Sequence, residues 1–245
     1  MSLIDSIESA DVDAVQRALD DGADPNSRTD LGVPALAVAA SVESLPIIEM
    51  LLERGADVTA RDEQGGTALH VGPFRLEVLE RLLEAGVAIN AQDGDGLTVL
   101  YLSVGDPEAV RLLLDHGADP NIATSSMETP LALCAACGNL SSAEVLLDRG
   151  ANPNYIDDAH GWSVLFSAAQ AGESELVELL LDHGADPDHR SPEGLFALSL
   201  ALEQEHLDTA LILSERSSEP TRRACAALSA TLHEKLQRLV RSLNR

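Results

Sequence analysis

Two cysteines in the phrase Cys134-Ala135-Ala136-Cys137 stand at the spacing of a redox pair or of half a zinc site. A structural zinc would need a second pair of ligands, and only Cys225 is left in the chain. The alanines between and before the thiols place both in a helix, where packed, inert thiols are expected. Asp93-Gly94-Asp95-Gly96 has the look of an opening calcium loop, but the bidentate glutamate of such a loop is missing at its offset. The acid pairs Asp20-Asp21 and Asp157-Asp158 read as solvated loop faces. Seven histidines are scattered without a serine, cysteine or metal partner at a useful spacing, and no glycine-rich phosphate loop follows a strand. Nucleophile, base and oxyanion donors do not converge anywhere. The expectation is a protein that is not an enzyme and holds no cofactor and no metal.

Charge then says what kind of partner is possible. The 245 residues carry a formal charge of −25, distributed unevenly. Residues 1–215 contain nine arginines, no lysine and 39 acids, a net of −30, whereas 216–245 carry +5. A body this acidic repels nucleic acid and anionic membranes and draws cationic surfaces. The same acidity can serve solubility alone, and arginine in place of lysine points to a GC-rich genome or a salt-adapted source. Three cysteines are too few for a disulfide framework and suit a reducing compartment. The N-terminal residues lack the basic start and apolar run of a signal peptide, and no stretch is a membrane span. A soluble, cytoplasmic chain that is monomeric on its own is expected.

The elements that position these residues follow from a repeat. Gly22-Ala23-Asp24-Pro25-Asn26 recurs as variants beginning at Gly55, Gly86, Gly117, Gly150 and Gly184, at spacings of 33, 31, 31, 33 and 34 residues. Each phrase follows a leucine pair such as Leu113-Leu114 or Leu146-Leu147. A glycine after the last helical turn supplies a left-handed cap, and Asp or Asn with Pro then makes a tight turn. About a dozen residues on comes a second phrase, as in Thr67-Ala68-Leu69-His70, Thr98-Val99-Leu100-Tyr101, Thr129-Pro130-Leu131-Ala132 and Ser163-Val164-Leu165-Phe166. Its Thr or Ser oxygen caps the next helix, and proline is tolerated at the first position. Aromatics are only 2% of the chain, so Leu and Ala must fill the core of thin helices that stack because none can bury its apolar face alone.

This pattern resembles the ankyrin repeat, and Thr129-Pro130-Leu131 with Gly117-Ala118-Asp119 matches that family's signature closely. The resemblance implies an all-α solenoid of paired antiparallel helices with projecting β-hairpin loops over residues 1–216. Seven units are expected, at 1–29, 30–62, 63–93, 94–124, 125–158, 159–191 and 192–216. Pro34 and Phe196 stand in the capping slots of the second and last units. His70 occupies the signature position that ties the turn network, and Cys134 a slot where the family has a buried alanine. Within the family's spacing the units at 63–93 and 94–124 are two residues short, near Gly72-Pro73 and Asp106-Pro107.

The resemblance also implies a protein-interaction module whose hairpin tips and first helices line a concave groove. Its contact residues here are Asp30, Leu31, Val33, Glu63, Gln64, Asp95, Leu97, Ser126, Glu128, Tyr155, His160, Trp162 and Glu193. The hairpin at 155–162 has one extra residue, and Trp162 either stands on its tip as an interface anchor or packs beneath it. Beyond the array, 217–245 reads as an amphipathic helix with a basic face, either a cap on the last repeat or a docking helix. Capture, with inhibition, of a basic protein in an acidic groove is the first reading. A scaffold whose acidity serves solubility is the second, and a DNA mimic the third.

Overall fold

The computed structural model describes residues 2–72, 75–158 and 160–228. Among the described residues there are fourteen helices and no strand. The hairpins are closed by turns, with isolated bridges only between Arg28 and Pro34 and between Ile156 and Ser163. The chain forms two compact units, Met1–Ser126 and Met127–Arg245.

The first unit contains α1 (Leu3–Glu8), α2 (Val12–Asp20), α3 (Ala35–Ser41), α4 (Leu45–Glu53), α5 (Leu76–Glu84), α6 (Val99–Leu102) and α7 (Pro107–Asp115). The second helices α2, α4, α5 and α7 form an unbroken row in which each touches the next. The first helices do not. The unit at 63–93 has turns over 68–71 where its first helix belongs, and α6 is a single turn of four residues. The two missing residues per unit have thus been taken from the first helix, while α5 and α7 keep their nine residues.

The second unit keeps both layers. Here α8 (Pro130–Cys137), α10 (Val164–Ala171) and α12 (Ala197–Glu203) make one row. A second row is made of α9 (Leu140–Asp148), α11 (Ser174–Asp182) and α13 (Leu207–Arg216). The start of α14 (Glu219–Leu228) lies on α12, with Thr221 and Cys225 buried. Its entry is fixed by the Ser218 N–H, which donates to the Asp188 carboxylate at 2.9 Å. The remainder of the basic segment expected to reach 245 lies outside the described residues.

The repeated phrases do the work their chemistry implies. All six phrase glycines sit at φ between +85° and +91°, where any side chain would be strained. The leucine four residues before each of the last five, from Leu51 to Leu180, is fully buried. Thr98 and Thr129 cap α6 and α8 through the Tyr101 and Ala132 N–H groups, each at 3.2 Å. Pro34 offers α3 no side-chain cap, as its type requires. At Phe196 the Ser199 hydroxyl accepts the backbone N–H instead, at 2.9 Å. Ser163 corrects the expectation: its hydroxyl is buried without a partner, and the Phe166 N–H goes to the Ser163 carbonyl.

Two side-chain ladders stitch successive repeats at the turns. Asn26 accepts the Asp57 N–H at 2.7 Å and donates to the Gly55 carbonyl at 3.4 Å, and Asn90 and Asn154 do the same one repeat further on. At the ends of the second helices Arg54 pairs with Asp20 (2.6 Å), His183 with Asp148 (3.5 Å) and Arg216 with Asp182 (2.7 Å).

Candidate partner-binding surface

Five hairpins are each shaped by one side chain that folds back on its own loop: a hydroxyl at Thr29 and Ser191, a carboxylate at Asp62, Asp93 and Asp157. Asp62 accepts the N–H groups of Gln64 and Gly66, and Asp93 those of Asp95 and Leu97. The Asp93 carboxylate of the calcium-like phrase is therefore used in turn formation, and no cluster among the described residues could hold a metal ion. The loops close with a bond from residue i to i+4: Thr29 to Val33, Asp62 to Gly66, Asp93 to Leu97 and Ser191 to Leu195. The exception is Asp157 to Trp162, one residue longer, which is where the extra residue was expected.

The tips of the first unit are joined side by side. The Arg28 guanidinium donates to Gly32 O at 2.6 Å and, across the repeat, to Arg61 O at 2.7 Å. Arg61 likewise bridges Gly65 O and Gln92 O, and Gln92 bridges Gly96 O and Ala123 O. Backbone bonds run alongside, from Gly94 N to Gln64 O (2.7 Å) and from Ser125 N to Asp95 O (2.9 Å). The tips come so close that a Cβ on Gly96 would lie 2.6 Å from Ser125 N. Only glycine fits there.

On this frame the expected contact residues divide. Asp30, Leu31, Glu63, Gln64, Asp95, Ser126, His160 and Glu193 are exposed, whereas Val33, Leu97, Glu128, Tyr155 and Trp162 are half-buried. Leu31 stands out at 77% exposed, a large apolar side chain on a tip. Trp162 answers both readings offered for it. Its ring leans on buried Phe166 at 6.0 Å and reaches exposed His160 at 6.5 Å, so one side is core and the other surface. Tyr155 has its hydroxyl buried without a partner, and that burial, with Asp158 and Asp157 nearby, pushes its pKa up.

The chemistry of the other singled-out groups is structural. His70 Nδ1 accepts the Thr67 N–H at 3.0 Å, which leaves Nε2 to donate to Leu97 O at 3.1 Å; this is the turn tie expected of it. His116 and His183 place Nδ1 on Leu112 O and Leu179 O at the ends of their helices. Burial pushes the Cys134 and Cys225 thiols up to about 12. Cys137 departs from the expectation of a packed pair: it is exposed. Three residues further along α8, and at its last position before Gly138, it faces away from the core that Cys134 enters.

The model of the family described as ankyrin repeats (3 copies) matches residues 3–93, 72–157 and 155–224. The chain belongs to the ankyrin-repeat family. Ankyrin repeats are protein-interaction modules, typically without enzymatic activity. Among the described residues no helix is long and apolar enough to cross a membrane.

Two features of this ankyrin surface were missed in the sequence. Arg28, Arg61 and Gln92 share an offset of six residues from their phrase glycines, a signal that aligning the phrases would have shown. The second is where the charge lies. The first helices α3, α6, α8 and α10 contain no Asp, Glu, Lys or Arg at all, and α1 and α12 carry only Asp5, Glu8 and Glu203, so most of the acidity lies in the tips, the turns and the second helices.

Proposed function

We propose that this ankyrin array captures a basic surface of a protein partner through its hairpin tips and blocks that surface. The observation that carries the reading is the segregation of charge. Exposed acids crown the tips at Asp30, Glu63, Asp95 and Glu193 within a segment of net −30, while the first helices α3 and α6, which follow the Asp30 and Asp95 tips, are uncharged. A cation approaching the tips meets attraction, and one approaching the first helices meets small apolar side chains. The notion of an acidic groove is thereby narrowed to an acidic rim.

Charge of this kind acts chiefly on association rate and is screened by salt. In the second unit the aromatic hairpin at 155–162 offers an apolar anchor of its own, through the exposed faces of Trp162 and His160. The test begins with affinity capture from the native host and mass spectrometry to identify a partner. Glu63→Gln with Asp95→Asn is then expected to slow association severalfold at low salt, with the difference vanishing at high salt. His160→Ala, on a side chain that carries no core contact, is expected to raise the dissociation rate. Unchanged association kinetics for the double variant would leave the acidity with the solubility role alone.

A further inference from the structure

In the first unit every hairpin after the first receives a side-chain bond from the hairpin before it, and the last two receive a backbone bond as well. Its carbonyl six residues after the phrase glycine takes a side-chain donor: Arg61 O takes Arg28, Gln92 O takes Arg61, and Ala123 O takes Gln92. Two residues on, its N–H gives to the previous tip, as Gly94 N does to Gln64 O and Ser125 N to Asp95 O. The first hairpin has the same two groups in the same places, Arg28 O and the Asp30 N–H. Among the described residues neither has a partner. Beside these groups lies a cleft of about 500 Å³, between this hairpin and α1. Ile4 and Leu31 give it apolar walls, and Glu8 and Asp30 line it with carboxylates.

We infer that this cleft is a socket for an arginine-bearing turn of a protein partner. The guanidinium donates to Arg28 O as Arg28 itself donates to Arg61 O, and a carbonyl of the same turn accepts the Asp30 N–H. The stem of the arginine lies against Ile4 and Leu31, and Glu8 and Asp30 balance its charge. Arginine fits better than lysine because the planar fork carries several donors in fixed directions, which the repeats of this chain already exploit. The polarity of the partner rests on the reading given under Proposed function, but the site is different: the cleft beside the first hairpin rather than the rim, recognised by addition to that hairpin's open groups.

The test uses the full chain, ¹⁵N-labelled, and three capped peptides, acetyl-Gly-Xaa-Gly-amide with Xaa arginine, lysine or norleucine. The arginine peptide is expected to shift the amide resonances of Ile4, Asp30 and Leu31 saturably at millimolar concentration. The norleucine peptide should bind at least tenfold more weakly and the lysine peptide at least threefold more weakly. Equal binding of lysine and arginine, shifts centred on Glu63 and Asp95 instead, or no shift at Asp30 would each overturn the socket. The Glu63→Gln, Asp95→Asn variant leaves the socket intact. It should therefore bind the arginine peptide as the wild type does even as its association with the partner slows at low salt, which keeps failure of the rim and failure of the socket apart.

Discussion

The two units of the chain reach order by opposite means. In the first, the tips are stitched edge to edge by Arg28, Arg61 and Gln92, yet the layer of first helices is eroded to turns at 68–71 and one turn in α6. In the second, α8, α10 and α12 are whole, yet the stitching slot is held by Ile156, whose side chain has no donor. There the link between tips is His189 Nε2 donating to Gly161 O at 2.9 Å, backed by Phe166 against His189 at 5.5 Å and Trp162 at 6.0 Å. A repeat can evidently lose helix length where its loops are bonded across repeats, and lose loop bonds where its helices pack fully. Repeat stability is a sum over unit and neighbour terms, so either can carry the load.

The largest effects should come from the layer that both units share, the second helices. Leu113→Ala in α7 and Leu146→Ala in α9 each empty a fully buried site and are expected to cost about 2–5 kcal/mol in urea unfolding. Hydrogen exchange separates the two. Leu113→Ala should loosen amides over α5 to α7, where no first-helix layer shares the load, more broadly than Leu146→Ala loosens α9 and α11. Equal spread in both would remove the contrast.

Arg61→Ala tests the stitching itself. It deletes donors to Gly65 O and Gln92 O and should cost about 1–2 kcal/mol, the range for bonds made by a charged donor less its solvent exposure. Ile156→Ala, at the matching slot of the second unit, should cost less than about 0.5 kcal/mol because the side chain is partly exposed and bonds nothing across the repeat. A large loss at Ile156 would mean that slot is structural in both units.

Period, cap chemistry and buried leucines were legible in the sequence because each is dictated by one residue type at one position: a glycine at positive φ, a threonine at an N-cap, a leucine four residues before the glycine. The missing residues at 63–93 were also legible, but not their consequence. Whether a deletion shortens a helix or a turn depends on which packing the neighbours preserve, and here the second helices kept their row. Cys137 was misplaced for a related reason: the pattern shows that a residue is helical, while its exposure depends on which helix lies opposite. The tip ladder escaped because arginine at a loop position ordinarily reads as surface charge. Its role appears only when two hairpins are seen side by side.

The attachment of α14 gives a pH-dependent test within the second unit. Burial alone would raise the Asp188 pKa, but the Ser218 N–H and the Ser218 and Thr221 side chains bond its carboxylate, with Arg222 nearby, and the net direction is down. A carboxylate whose pKa is lower folded than unfolded contributes stability above its ordinary pKa, and that contribution is lost as pH falls through the folded value. Protection of the Cys225 thiol against alkylation, taken as its rate relative to the unfolded chain at the same pH because only the thiolate reacts, should therefore hold at neutral pH and decline on acidification, whereas Asp188→Asn should lower it at neutral pH and flatten the acid response.

The smallest expected effect is a gain. Asn26, Asn90 and Asn154 each bridge to the next repeat, but the same slot at 59 is a threonine whose N–H and hydroxyl both turn back onto Asp57, at 2.8 and 2.7 Å. Its side chain is too short to do more. An asparagine there would keep the N–H bond, since Asn26 N makes the equivalent bond to Asp24 at 2.9 Å. Its amide would then reach Gly86 O and Ala88 N, the groups equivalent to Gly55 O and Asp57 N. Thr59→Asn is thus expected to stabilise the first unit by about 0.5–1 kcal/mol, one net hydrogen bond after the lost hydroxyl contact is set against two new ones. Because the added link enters next to the unit that has lost its first helix, slower exchange should appear at Ala88 and through α5 before it appears elsewhere. A gain in midpoint with no change at those amides would place the effect in the unfolded chain. No gain at all would show that the asparagine ladder sets the spacing of the repeats without strengthening it.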